Sequence, residues 1–255
     1  MANIVTEYTT RRISAPLSQQ RSIRKNGFKM GESFEQYYSV LQKCGVFRDI
    51  QPRRYQDVLT CLHARVARYD RGMRITEYGE RSRKAGVMLD GTVEEFFYDE
   101  NGDQVNICRL QQGQVFGSEL AATGWTTSPV CLEASSDCTV MLLDFGALMS
   151  GNTIGCPCRM QVSANLLQDM AQQLLFFNTK VKILAQKRVR DRLKIYLQTL
   201  IPDSKGCYHL PYNRTELAEF LCVDRSALSR ELCRMRDEGL LAFSGSRITL
   251  LTEKW

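Results

Sequence analysis

The apolar residues of this chain change period along its length, and each change marks a different kind of element. Residues 34–64 carry them at helical spacing in two short stretches, SFEQYYSVLQKC and RRYQDVLTCLHA. From Val66 to about Phe145 the texture becomes short β-branched or alternating runs, broken by YDRG, YGE, LDG, DENGD and LQQG. Gly72, Gly79, Gly91, Gly102 and Gly113 fall about every ten residues there, which predicts a small all-β barrel or jelly roll. FFYDENGDQVNICRL reads as a hairpin, two alternating runs joined at Asn101-Gly102.

Helical period returns at about Met160 and holds to Ala185. Leu167, Met170, Leu174, Phe177, Val181 and Leu184 follow 3-4 spacing, the a/d seam of a paired helix, with Lys180 and Lys182 off it. Leu166, Phe176 and Ile183 form a second apolar face. Two such faces predict one side against the barrel and one against a second copy in a symmetric dimer. QKRVRDRLKIYLQTLI is the next helix, with Val189, Leu193, Tyr196, Leu197 and Leu200 inward and Pro202 after its end. DSKGCYHL is a turn with a short strand.

The last pattern is the densest. NRTELAEFLCVDRSALSRELCRMRDEGLL gives two helices with a tight connection. Asn213 with Glu216 is a capping box, and Asp224 is a good N-cap for the second helix. Leu217, Ala218 and Leu221 are the inward positions of the first helix, and Leu228, Leu232 and Met235 those of the second. Gly239 ends that helix, and LLAFSGSRITLL is a hairpin. The whole is a winged helix-turn-helix. Burying Leu228, Leu232 and Met235 leaves Arg225, Ser226, Ser229 and Arg230 outside. Arginine can bond guanine O6 and N7 bidentately, and serine can bond base edges or a phosphate, so this face suits the major groove of double-stranded DNA. Arg214 and Thr215, at the start of the first helix, suit a backbone phosphate.

Charge changes this picture only when it is divided along the chain. The net +6 conceals a basic segment 1–29, a mildly acidic body from 30 to 186, and a basic C-terminal unit. Segment 1–29 lacks apolar periodicity and reads as a disordered tail. The organisation is then a tail (1–29), a β sensor domain with short leading helices (30–159), a dimerisation helix (160–185) and a winged helix-turn-helix (186–255). The fold class is α+β. No apolar run is long enough to cross a membrane, and ten cysteines scattered singly suit a reduced, cytoplasmic protein. No nucleophile–base pair, metal set or phosphate loop supports an enzyme.

With TELAEFLCVDRSALSRELCRMRDEGLL, FGSEL and the spaced glycines in view, the chain resembles the cyclic-AMP receptor / fumarate-nitrate regulator (CRP/FNR) family of bacterial transcription factors over residues 34–255. The resemblance implies a cyclic-nucleotide-binding-like sensor, a homodimer on two-fold symmetric DNA, an effector that changes affinity, and RNA polymerase as a partner. It assigns base-reading positions to Arg225, Ser226 and Arg230, and a base or phosphate position to Ser229. Ser226 stands where the family often has Glu, so the usual half-site does not carry over. It also places an effector pocket at Phe116, Gly117, Ser118, Glu119, Leu120, Thr127 and Ser128, with Phe177 and Asn178 of the long helix facing it. The Arg-Ser pair that holds a cyclic phosphate in that family is absent: Thr126, Thr127, Ser128 and Pro129 stand there. The expectation is an unknown small-molecule effector other than cyclic AMP, and no fixed cofactor. Two alternatives stay open. One is thiol- or metal-based redox sensing by Cys156 and Cys158 with Cys131 and Cys138, or more remotely a haem on His63. The other is a sensor whose winged helix binds protein.

Overall fold

The computed structural model describes residues 33–81, 84–123, 127–149 and 158–252. The tail 1–29, Thr126 and Cys156 lie outside these residues.

The chain begins with a single-turn helix at Glu35–Tyr37 that runs into α1 (Tyr38–Leu41). Further short turns at Gly45–Phe47 and Pro52–Arg54 lead to α2 (Tyr55–Cys61). Eight strands follow: β1 (Arg65–Tyr69), β2 (Arg74–Thr76), β3 (Ala85–Asp90), β4 (Val93–Tyr98), β5 (Gln104–Leu110), β6 (Val115–Phe116), β7 (Cys131–Ala134) and β8 (Cys138–Leu143). α3 (Ser118–Thr123) lies between β6 and β7. The strands form two antiparallel sheets, ordered β1-β8-β3-β6 and β2-β7-β4-β5. That is the jelly roll the glycine spacing predicts. Gly72, Gly79, Gly91, Gly102 and Gly113 all have φ between 72° and 84°. This left-handed region is where glycine turns a chain at least cost.

The hairpin is wider than a two-residue Asn-Gly turn. Tyr98 pairs with Gln104, and the Asp99 carboxylate accepts the N–H groups of Asn101 and Asp103 at 2.8 and 2.9 Å. An aspartate bonding the backbone two residues on competes with the tight turn and wins here.

The sheets divide the core in two. Tyr69, Ile75, Met88, Val93, Leu110, Phe116 and Val140 fill the space between them. The other face of β3 and β8 buries Val87, Leu89, Met141 and Leu143 under the leading helices, with Phe47, Tyr55, Leu59 and Leu62. Burial on both faces explains why β3 reads as a continuous apolar run.

After α4 (Gly146–Met149) comes α5 (Arg159–Leu184), 26 residues long. Its first turns bury Val162 and Leu166 against the leading helices. Buried Asn165 fixes it there by donating to the carbonyls of Val46 and Arg48 at 3.0 and 2.7 Å. Its last turns carry Ile183 into a separate C-terminal core with Leu193, Leu197, Leu217, Leu228, Leu232, Met235 and Ile248. That unit comprises α6 (Val189–Gln198), β9 (Cys207–His209), α7 (Arg214–Phe220), α8 (Arg225–Asp237), β10 (Leu241–Ser244) and β11 (Arg247–Leu250), with sheet order β10-β11-β9. The architecture is α+β: a jelly roll, a long helix and a winged helix-turn-helix.

The sequence seam on α5 divides in the structure. Leu167, Leu174 and Val181 are exposed, but Met170, Phe177 and Leu184 are half-buried toward their own chain. The two rows of an a/d seam lie about 40–60° apart around a helix, so one row is half-covered while the other stays open. The exposed row continues as Met160, Ala164, Leu167, Ala171, Leu174, Asn178 and Val181.

Candidate nucleic-acid interface and sensor pocket

The helix-turn-helix is built from its caps. The Asn213 carboxamide oxygen accepts the N–H of Thr215 and Glu216 at 2.9 and 3.0 Å, and the Glu216 carboxylate accepts the Asn213 N–H at 2.9 Å. α7 ends at a turn through Cys222, whose φ is +50°. The left-handed region costs a non-glycine residue roughly 1–2 kcal/mol. The turn is held from outside: the Arg192 guanidinium donates to the carbonyls of Leu221 and Cys222, both at 2.9 Å, and to Gln186 O at 2.8 Å. Asp224 occupies the N-cap position of α8, but its side chain makes no capping hydrogen bond.

α8 buries Leu228, Leu232 and Met235. On its other side Arg225, Ser226 and Arg230 are exposed and Ser229 is half-buried. The remaining arginines nearby are engaged. Arg190 pairs with Glu231 at 2.6 Å and grips Glu238 with two bonds, Arg234 pairs with Glu231, and Arg236 pairs with Asp237. Glu231, Asp237 and Glu238 are thereby engaged, while Asp224 at the start of α8 is exposed. Among the described residues, Arg225 and Arg230 make no ion pair or hydrogen bond.

Arg214 and Thr215 sit differently. Thr215 is exposed, while Arg214 lies over the Phe243 ring at 5.2 Å and donates to Gly245 O at 3.3 Å, its buried Nη1 having no partner among the described residues. Here Arg214 braces the wing tip against α7. β10 and β11 pair Ser244 with Arg247, so the turn is the two residues Gly245 and Ser246.

In the barrel, Phe116, Ser118 and Leu120 are buried and Glu119 is exposed. Gly117 has φ +68°, and a Cβ there would meet Lys84 O at 2.2 Å, so glycine is required. Among the described residues the buried Ser118 hydroxyl has no partner. Ser128 is buried and spends its hydroxyl on Val130 O at 2.8 Å, while Thr127 is half-buried. Phe177 packs edge-on against Phe176, and Asn178 is exposed on the open row of α5.

The sequence reading missed the polar groups between barrel, α5 and α7. Lys180 is 6% exposed; it donates to Asn106 O at 3.0 Å and to Ile107 O, and its ammonium sits 4.9 Å from the Phe220 ring centre. Burial lowers its pKa. Glu95 of β4 accepts the Cys108 thiol at 3.3 Å. Burial pushes its carboxyl up to about 7, aided by the Glu119 charge and opposed by the thiol hydrogen bond and Lys180. Arg109 of β5 bridges Glu94 at 2.8 Å to Glu216, the capping residue of α7. A cavity of ≈ 30 Å³ lined by Asn106, Arg109, Lys180, Tyr212, Glu216 and Phe220 lies at this junction, room for about one water and not for an organic ligand. One signal was available: Glu95 shares the parity of buried Val93 on its strand, a place where an acid is unexpected.

The other candidates are dispersed. Cys131 and Cys138 are buried; burial raises the first thiol and pushes the second up to about 11, away from thiolate. His63 is exposed, with Nδ1 at 3.8 Å from Asp144 Oδ2.

Residues 188–254 match the Crp-like helix-turn-helix domain family. A search of curated proteins by sequence found no match. Solved structures share the fold. The c-di-GMP responsive global regulator CLP of Xanthomonas campestris is 19% identical, with a TM-score of 0.60 over 79% of this chain and 100% of that one. A CooA mutant from Carboxydothermus hydrogenoformans is 19% identical, with 0.57 over 76% and 86%. FixK2 from Bradyrhizobium japonicum is 22% identical, with 0.54 over 75% and 94%.

Proposed function

We propose, from its Crp-like helix-turn-helix domain and its fold, that this chain is a CRP/FNR-type sequence-specific DNA-binding transcription regulator acting as an effector-responsive homodimer. The observation that carries this reading is the exposed face of α8. Among the described residues Arg225 and Arg230 stand free of ion pairs, while Glu231, Asp237 and Glu238 are taken by Arg190, Arg234 and Arg236. Free arginines beside exposed Ser226 form the donor set that guanine and phosphate accept. A protein-binding winged helix would have no comparable need for unpaired cations.

The open row of α5 supports the dimer. Met160, Leu167, Leu174 and Val181 recur every seven residues and are 87, 70, 60 and 64% exposed. A heptad of apolar residues facing water is the pattern a parallel partner helix covers. Two copies joined along α5 would present two α8 helices to half-sites about one helical turn apart.

The effector acts through the junction. We place its pocket at Phe116 to Leu120 with Thr127 and Ser128, facing α5; Glu119 is exposed there and Glu95 of β4 is half-buried. This lining offers no arginine to grip the cyclic phosphate of cyclic AMP, and Glu119 adds a carboxyl. Arg109, bound at once to β4 and to α7, carries a shift of the barrel to the helix-turn-helix.

Footprinting of the full chain on selected genomic DNA, repeated across a salt series, tests the reading. A protected two-fold site whose affinity falls steeply with salt supports it, because phosphate contacts release counterions. A salt-independent affinity, or protection of one half-site only, overturns it.

A further inference from the structure

The turn before β9 brings together three side chains of one chemistry. Asp203 opens DSKGCYH, and its Oδ1 accepts the N–H of Lys205 at 2.8 Å and of Cys207 at 3.0 Å. The backbone closes the same loop: Asp203 N–H donates to Cys207 O, and Gly206, at φ +73°, donates to Asp203 O, both at 2.9 Å. The second carboxylate oxygen, Oδ2, lies 2.9 Å from His209 Nε2. Cys207 and His209 are two apart on β9, so they share a face, while Tyr208 between them packs on the C-terminal core. One donor atom from each of Asp203, Cys207 and His209 falls within 4.8 Å of the others.

We propose that Asp203, Cys207 and His209 bind a zinc-type divalent cation on the winged domain. An Asp–His hydrogen bond accounts for two of the three groups but gives no reason for a sulfur on the same face. Zinc takes thiolate, imidazole and carboxylate at about 2.0–2.3 Å, which puts tetrahedral ligand atoms about 3.5 Å apart. The triad needs only side-chain closure of about an ångström to reach that spacing. All three donors come from one short loop already closed by its own hydrogen bonds, so little chain entropy is lost. Three protein ligands leave a fourth position for water.

The site has a consequence for the wing. β9 is the edge strand beside β11, His209 pairs with Arg247, and Leu210 N–H donates to Ser246 O of the wing turn. A metal tying His209 to the 203–207 loop fixes the strand on which the wing rests, and it adds positive charge beside Arg247.

Cobalt(II) titration of the full chain, stripped of metal by a chelator and kept reduced, tests this. The native protein should bind one cobalt with a thiolate-to-metal charge-transfer band that zinc displaces. Cys207→Ser should abolish the band while leaving the far-UV dichroism unchanged. His209→Ala and Asp203→Asn should each weaken binding by at least about tenfold, the loss that even outer-shell partners cause. Cys158→Ser and Cys222→Ser should change nothing. A native chain without the band, or a band that survives Cys207→Ser, overturns the proposal.

Discussion

The reading helix and the interdomain junction use their cations in opposite ways. On α8, Arg225 and Arg230 are exposed and unpaired among the described residues. At the junction Arg109 and Lys180, and behind the helix-turn-helix Arg192, are all engaged, with carboxylates or with backbone carbonyls. A cation that holds the chain together is satisfied inside it, because a buried unpaired charge is costly. A cation kept for an outside partner stays solvated until that partner arrives. The difference separates residues whose loss lowers stability from residues whose loss lowers affinity.

The largest effect expected at the junction belongs to Glu95. Its folded carboxyl is raised to about 7 from the usual 4.5. The folded state therefore holds a proton that the unfolded chain releases between these values. The protection is complete below about pH 4.5 and is lost as pH rises through 7, a change of about 3 kcal/mol. Denaturant unfolding at pH 5 and pH 8 should show most of this fall in the native protein and a clearly smaller fall in Glu95→Gln, where Glu119, Asp169 and Glu219 are still raised by burial. An equal fall in both removes Glu95 from the account.

Arg192 is next. Arg192→Ala removes charged donors from Leu221 O, Cys222 O and Gln186 O and should cost about 1.5–3 kcal/mol in chemical denaturation. A stability unchanged by that substitution would merge the two classes of arginine. Smaller still is Cys222→Gly, which relieves the left-handed backbone at φ +50°. It should raise stability by about 1 kcal/mol, since the strain relieved exceeds the entropy glycine adds to the unfolded chain. A loss of stability instead would show that the Cys222 side chain holds the turn.

The two regions also differed in how far the sequence disclosed them. The α7–α8 unit is made by neighbours in the chain: Asn213 with Glu216, and Leu228 with Leu232 and Met235, so spacing alone located its helices and its outer face. The jelly roll was legible for the same reason, through glycines that each turn a chain locally. The junction was not. Arg109 meets Glu216, and Lys180 meets the carbonyls of Asn106 and Ile107, across separations of 107, 74 and 73 residues. No local period records such pairs. The α5 seam falls between the two cases: its period was readable, but the covered row depended on what packs against the helix from distant parts of the chain.

The most direct measurement compares Arg230→Ala with the native chain, recording unfolding stability and affinity for a mapped site in the same buffer. The account predicts a stability change within about 0.5 kcal/mol, as for an exposed unpaired side chain. It predicts an affinity loss of about 1–3 kcal/mol with relaxed preference at one base pair. Unchanged affinity on that site, or an affinity loss matched by an equal loss of stability, would contradict the assignment of α8 as the DNA-reading face.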